Sequence, residues 1–166
     1  WVRFTFPRQT HTDEEHCIAD YVASIDSGRM DIVAFQVVTI GPGVTEVAQK
    51  ALAEGNVGRN LHLCGLGVEA TQALVEYAHR QVRLELGIAR EDSPYILDLF
   101  HGSYQGARFS FGDPACPNLE DLAKLWQLLE PEQIGVELLD GFQLAPENSA
   151  AAIILHHPEA RLFNVK

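Results

Sequence analysis

The segment around Arg108 carries the residue types best suited to binding a small anionic group. Arg108 lies among Gly106, Phe109, Phe111 and Gly112 in a stretch rich in glycine and proline. An arginine can hold a carboxylate through two parallel hydrogen bonds, and glycines let a ligand approach the backbone closely. The alternative is an arginine that ties the loop to a carboxylate of the protein itself. The residues alone favour neither interpretation.

Two further side chains are weaker candidates for a binding site. Asp20 lies among apolar residues, so its carboxylate could bind a ligand ammonium, although capping of the following turn is the favoured interpretation. His79 falls on the polar side of a predicted helix, where a surface or partly satisfied histidine is the usual case.

The sequence lacks the motifs of metal binding and of nucleophilic catalysis. Its histidines and cysteines do not show the paired CxxC or HxxxH spacing of a closed zinc site, so no metal site is predicted. It contains no GxSxG elbow, no P-loop and no GxGxxG loop. Cys116, between Ala115 and Pro117, is interpreted as a small packed thiol.

Composition excludes several classes of partner. The chain has 166 residues and a formal net charge of -11, and such an acidic protein repels phosphate backbones, so nucleic-acid binding is not expected. The apolar runs are too short to span a bilayer. Three cysteines suit a reducing cytoplasm. The start at Trp1 suggests a segment of a longer protein, with removal of a tag or of an initiator Met as the alternative.

Strands and helices are interspersed without a regular β-α repeat, which predicts a single α+β domain with a mostly antiparallel sheet. The acidic run at 13–15 is interpreted as a solvated helix start. The composition of 101–117, with three Gly and two Pro, predicts an ordered but irregular loop, and Asn118 caps the next helix. Strands are predicted at 2–6, 31–40, 136–139, 150–155 and 162–165, and helices at 45–54, 61–86, 96–100 and 119–129.

The longest predicted helix, 61–86, has apolar residues at steps of three and four, which predicts one buried face. The residues of that face are Leu63, Leu66, Ala70, Ala73, Leu74, Tyr77, Ala78 and Val82.

The run GARFSFGDPACP at 106–117 resembles the signature Arg-x-x-x-Gly-Tyr-Pro-Ala-Cys-Pro of the activation domain of cobalamin-dependent methionine synthase. Further segments resemble this family in the same order along the chain. They are FPRQ at 6–9, IADY at 18–21 (Leu-Ala-Asp-Phe in the family), EYAH at 76–79, PENS at 146–149 and HPEA at 157–160. Each match is weak alone, but together they identify 1–166 as a member of that family.

The resemblance implies a single curved α+β domain around a twisted, mostly antiparallel sheet, which binds S-adenosylmethionine (SAM) in a shallow groove. In the family, cobalamin is held by a separate domain of the same enzyme and occasionally oxidises to inactive cob(II)alamin. The activation domain then presents SAM for reductive methylation, with an electron from flavodoxin or another donor. The isolated domain would have no turnover of its own. The alternative is a diverged or stand-alone relative that has lost SAM and acts in protein docking or regulation.

The resemblance also implies roles for individual residues. Arg108 would hold the SAM carboxylate, Asp20 would take a polar or cationic end of SAM, and backbone groups near 109–112 would bracket the rest. Four family side chains are altered: a tyrosine is replaced by Asp113 and another by Leu162, while acidic residues are replaced by Gln72 and Gly102. SAM is still expected to bind, with weaker affinity or an altered pose. The predicted site comprises Asp20, Gln72, Arg108, Phe109, Ser110, Phe111, Gly112, Asp113 and Leu162.

An acidic domain should repel an acidic flavodoxin. The sequence therefore predicts either a local basic patch, formed by Arg80, Arg83 and Arg90, or a different reductant.

Overall fold

The fold is known from a computed structural model, in which residues 1–10, 15–90 and 92–163 are described. Most of the predicted helix start at 13–15 therefore lies outside the described residues. The strands are β1 (Val33–Thr39), β2 (Ala107–Ser110), β3 (Glu137–Leu138), β4 (Leu144–Ala145) and β5 (Ser149–Leu155), and the helices are α1 (Gly43–Ala53), α2 (Val57–Glu85), α3 (Ile96–Phe100) and α4 (Asp121–Leu129). Short 3-10 turns occupy Ile18–Tyr21, Ile25–Ser27 and Pro131–Ile134.

The strands form two sheets. One sheet has the order β1-β5-β2 and the other pairs β3 with β4. Both β2 with β5 and β3 with β4 are antiparallel, in agreement with the predicted mixed α+β class. No helix in the described part of the chain is long and apolar enough to cross a membrane.

The chain forms two compact units, each built from segments that are distant in sequence. The first unit contains Trp1–Gln36, His79–Asp121 and Ala152–Lys166, and the second contains Val37–Ala78 and Leu122–Ala151. The assignment of 1–166 to a single domain stays a prediction.

The core of the first unit is built on one face of the β2–β5 ladder. Phe109 lies opposite Ile153 in the antiparallel register, and both side chains are almost completely buried. The rings of Tyr21 and Phe163 pack on Phe109, with centroids 6.5 and 5.4 Å away. Burial of these large apolar side chains stabilises the packing of the first unit on this face of the β2–β5 ladder.

In the second unit, α2 passes closely over the segment that precedes β5. A Cβ atom added at Gly67 would lie 2.8 Å from the amide nitrogen of Asn148, which is closer than atoms tolerate. The same amide nitrogen donates to Thr45 Oγ1 at 3.0 Å, so Asn148 is held in place. Gly67 is therefore required by packing and not by backbone conformation.

Three of the predicted elements differ in the structure. Residues 2–6 do not form a strand; their alternation arises because Phe4 packs on Phe35, with ring centroids 5.3 Å apart, without a hydrogen-bonded neighbour strand. The predicted loop 101–117 contains β2, since its central residues pair with β5. Of the predicted strand 162–165, residues 162 and 163 are not in a strand and the rest lies outside the described residues.

The buried face of α2 is also displaced from the predicted one. Leu66 and Tyr77 are exposed, at 59% and 61% of their full accessible area. The buried residues recur at steps of four and are mostly small or polar: Gly67, Thr71, Val75, His79 and Arg83. Among the polar side chains of this face, Thr71 is satisfied within the helix, because its Oγ1 donates to the carbonyl of Gly67 at 2.8 Å.

A buried ion pair lies at the end of this face, within the first unit. Arg83 Nη1 is 2.6 Å from Asp92 Oδ1, and the two side chains are only 3% and 7% exposed. The guanidinium also stacks on the ring of Tyr104 at 4.0 Å, and His79 approaches that ring edge-on. Two predictions were therefore wrong: His79 is fully buried, and Arg83 cannot belong to a surface patch. Arg80 and Arg90 are exposed.

Candidate functional site

The first unit contains a cavity of about 630 Å³, called cavity A below. Its volume lies within the range of small-molecule pockets, roughly 300–1,000 Å³. The polar side chains that line it are His16, Asp20, Tyr21, Tyr104, His157, Glu159 and Arg161, and the backbone of Gly102 also contributes. Acidic and basic side chains both line the cavity, which suits a ligand group that carries a positive and a negative charge.

A second cavity in the same unit, cavity B, has a volume of about 330 Å³ and mostly apolar walls. It is lined by Phe109, Asp113, Pro114, Ala115, Leu162 and Phe163. Phe109 and Phe163 of cavity B contact the ring of Tyr21, which lines cavity A. The two cavities therefore share one aromatic cluster, with a polar cavity on one side and an apolar cavity on the other.

Asp20 lines cavity A, but its carboxylate already has partners. Both of its oxygens accept hydrogen bonds from the guanidinium of Arg8, each at 2.6 Å, and Oδ2 also accepts from the backbone amide of Cys17 at 3.1 Å. These hydrogen bonds, that from Arg8 first, lower the pKa of Asp20 below its usual value. A cationic ligand group would have to share this carboxylate with Arg8.

Arg108 lies in β2, opposite Ile154 of β5. Successive side chains of a strand point to opposite faces of the sheet, so Arg108 points away from the face on which Phe109 is buried. Its side chain is half-buried, and it is not among the residues that line cavity A or cavity B.

The turn after β2 uses several of the backbone groups that were predicted to bracket a ligand. The carboxylate of Asp113 accepts from the amide of Ser110 at 3.1 Å, and the amide of Gly112 donates to the carbonyl of Cys116 at 2.8 Å. Gly112 has a φ of 101°, which side chains rarely adopt. The negative charge of Asp113 therefore stabilises its own turn, and the amides of Ser110 and Gly112 are engaged within the protein.

The remaining predicted residues are distributed as follows. Gly102 lines cavity A with Asp20, whereas Phe109, Asp113 and Leu162 line cavity B. Phe111 is half-buried and packs against the core of the first unit. Gln72 is exposed on α2 in the second unit.

Several polar residues of cavity A were missed as site residues. Arg161 Nη2 lies 3.0 Å from His16 Nε2, and His16 Nδ1 lies 3.4 Å from the hydroxyl oxygen of Tyr21. Burial raises the pKa of Tyr21, so its hydroxyl keeps its proton at neutral pH. Tyr21 and Glu159 do fall within two segments that resemble the family, 18–21 and 157–160, and this was the available signal.

Metal and thiol chemistry find little support in the structure. No group of three or more His, Cys, Asp or Glu residues in the described part of the chain is arranged to hold a metal ion. Cys116 is almost completely buried, and burial raises the pKa of its thiol to about 12. It is a packed, protonated thiol, as predicted.

Comparison with known proteins assigns the chain to a family. The family model described as "Vitamin B12 dependent methionine synthase, activation domain" matches residues 2–166. Methionine synthase of Mycobacterium tuberculosis (strain ATCC 25618 / H37Rv) is 45% identical over 98% of this chain, and that of Mycobacterium leprae (strain TN) is 41% identical over the same share. The chain spans only 14% of the length of either relative.

A solved structure described as the MetH reactivation domain bound to AdoHcy is similar to the fold, with a TM-score of 0.88 and 29% identity. The similarity covers 96% of this chain and 50% of that one. Fold, sequence and family model agree, and the chain therefore belongs to the activation-domain family of vitamin B12-dependent methionine synthase.

Proposed function

We propose that the chain is the SAM-binding reactivation module of a B12-dependent methionine synthase and supports the reductive methylation of cob(II)alamin. The observation that carries this proposal is the polar cavity A beside the apolar cavity B, within one unit of an activation-domain family member. SAM has a charged amino-acid end and an adenosine end. A polar and an apolar cavity that share an aromatic cluster suit these two ends.

The residues of the chain fit SAM in the following way. The ammonium of the amino-acid end would lie in cavity A, and the adenine ring would lie on Phe163 in cavity B, which offers aromatic surface. Glu159 contributes a carboxylate to cavity A, where the family acid at position 102 is absent. When bound, SAM supplies a methyl group on a positively charged sulfur, and the contribution of the protein is to orient it.

Arg108 is proposed to hold the SAM carboxylate, as the resemblance implies, and Asp20 to attract the ammonium beside Arg8. Cobalamin would be bound by another domain of the parent protein, in the cytoplasm, and an electron donor such as flavodoxin would complete the reaction. Of the patch proposed for that donor, only Arg80 and Arg90 remain candidates, since they are exposed.

Calorimetric titration of the chain with SAM tests the proposal. Saturable binding is expected, and Arg108→Ala should weaken it by about 30-fold or more, since truncating one partner of a charge pair costs about 2–5 kcal/mol. The control is Arg59→Ala, because Arg59 is exposed on α2 in the second unit and its loss should leave affinity unchanged. Thermal melting of both variants separates lost binding from lost folding.

Two results would contradict parts of this proposal. The absence of saturable binding at millimolar SAM would favour the alternative, a diverged relative that acts in docking or regulation. Asp20 and the backbone amides of Ser110 and Gly112 already have hydrogen-bond partners within the protein, and this favours that alternative. Normal binding by Arg108→Ala, with loss of binding in Arg161→Ala, would move the carboxylate anchor to Arg161 in cavity A.

A further inference from the structure

Cavity A contains a carboxylate, that of Glu159, whose negative charge has no partner in the described part of the chain. It makes no hydrogen bond or ion pair with any residue of that part. The carboxylate of Asp20, which lines the same cavity, is paired with Arg8 through two contacts of 2.6 Å. Arg161 lines the cavity as well, and its Nη2 lies 3.0 Å from Nε2 of His16. Glu159 is therefore available to a positively charged group of a ligand.

A turn at 157–160 positions Glu159 beside Tyr21. The amide of Ala160 donates to the carbonyl of His157 at 3.0 Å, and the amide of Glu159 donates to His157 Nδ1 at 3.2 Å. The ring of His157 packs on the ring of Tyr21, with centroids 5.9 Å apart. Burial first, and then nearby negative charges that include Glu159, raise the pKa of Tyr21. The charge of Glu159 therefore acts at the part of cavity A that Tyr21 lines.

Tyr21 marks the boundary between the two cavities, because its ring also contacts Phe109 and Phe163 of cavity B. In the proposed arrangement the ammonium of SAM lies in cavity A and the adenine ring lies in cavity B. The sulfur of SAM joins its amino-acid end to its adenosine end, so it would lie at this boundary. Glu159 is then placed beside the positive charge of the sulfur.

We infer that Glu159 offsets the positive charge on the sulfur of the bound ligand and makes the site prefer SAM over S-adenosylhomocysteine (AdoHcy). Loss of the methyl group turns the sulfonium of SAM into the uncharged thioether of AdoHcy, whereas the ammonium, the carboxylate and the adenosine are the same in both. The preference therefore depends on the sulfur, and it favours release of the ligand once its methyl group has been transferred. This inference rests on the proposed SAM binding and adds a specificity-determining residue to it.

The test is a set of calorimetric titrations, with SAM and with AdoHcy, of the unaltered chain, Glu159→Gln and Glu159→Asp. Glutamine keeps the size of the side chain and removes its charge. Because Glu159 is exposed, SAM affinity should fall roughly two- to fivefold, as expected for an exposed charge pair. AdoHcy affinity should stay the same, which also shows that the site is still folded. Aspartate keeps the charge, so Glu159→Asp should prefer SAM more strongly than Glu159→Gln does.

The matched control is Glu69→Gln, which changes the net charge equally. Glu69 is exposed on α2 and lines neither cavity, so the ratio of SAM to AdoHcy affinity should be that of the unaltered chain. The same ratio in Glu159→Gln as in the unaltered chain would overturn the role of Glu159 while leaving SAM binding intact. An equal loss of affinity for both ligands would also overturn it, because the charge would then not act on the sulfur. If the unaltered chain binds neither ligand, the proposed function fails, and the inference fails with it.

Discussion

Replacing Asp92 with asparagine tests how strongly the buried ion pair stabilises the first unit. In the native chain, Asp92 and Arg83 are 7% and 3% exposed, with a charged contact of 2.6 Å. Asparagine keeps the shape and one acceptor oxygen but removes the negative charge. The guanidinium of Arg83 would then be buried without a compensating charge, although it would keep its stacking on Tyr104.

The expected loss of stability follows from this burial. Breaking a buried ion pair by removing one partner costs about 3–5 kcal/mol, and the retained acceptor places Asp92→Asn near the lower end, at about 3 kcal/mol. For a chain of this size, the melting temperature changes by roughly 2–4 °C per kcal/mol. Thermal unfolding followed by circular dichroism should therefore show a midpoint lowered by about 6–12 °C.

A second arginine–aspartate pair among the described residues offers a matched control. Arg8 and Asp20 are also 2.6 Å apart, but their side chains are 47% and 44% exposed. Exposed pairs contribute little, because water and salt screen the charges. Asp20→Asn should therefore leave the melting temperature nearly unchanged.

A double variant, Arg83→Met with Asp92→Leu, separates lost attraction from the burial of an unpaired charge. Arg83 Nε and Asp92 Oδ2 have no hydrogen-bond partner among the described residues, so the pair is incompletely satisfied. Apolar replacement of both residues should destabilise less than Asp92→Asn does. A midpoint shift for Asp92→Asn as small as that of Asp20→Asn would refute the burial argument.

Two further predictions concern packing and pH. Gly67→Ala should destabilise the chain by roughly 1–3 kcal/mol in urea unfolding, because the added Cβ would meet the Asn148 amide at 2.8 Å. The control is Gly65→Ala, which has open space around it and should stabilise the helix by up to about 1 kcal/mol. Equal effects of the two substitutions would contradict the packing argument. Asp31 has a pKa lowered to about 2 by two backbone amides and His156. Because this pKa is lower in the folded chain than in the unfolded chain, the ionised carboxylate stabilises the fold at high pH, and this contribution is lost as the pH falls. The difference in free energy of unfolding between the unaltered chain and Asp31→Asn, at most roughly 2 kcal/mol, should therefore shrink from pH 5 to pH 2. A difference that stayed constant would show that the charge of Asp31 does not contribute.

Local sequence signals were sufficient for the elements that depend on few neighbours. The β-branched run around β1, the glycine-limited helix α1 and the Asn118 turn before α4 were predicted with small errors at their ends. Strand pairing was harder to predict: β2 lies in a glycine-rich segment, and only its distant partner β5 makes it a strand.

In the candidate site, too, sequence motifs located some residues, whereas the burial of others depended on distant segments. The motif at 106–117 and the matched segments identified the family, and they included the neighbourhoods of Asp20 and Glu159. The pattern of apolar residues on α2 did not reveal that Arg83 is buried, because its position is stabilised by Asp92 and Tyr104 from another segment of the first unit.

The sequence by itself determined the family, the mixed class of fold and the absence of common catalytic motifs, since these depend on residue types and spacing along the chain. The tertiary structure decided which charges are paired and which are buried. Arg83–Asp92 and Arg8–Asp20 look alike in sequence, with separations of nine and twelve residues. Only the packing around each pair makes the first almost inaccessible to water and leaves the second exposed, because burial depends on segments distant in the chain.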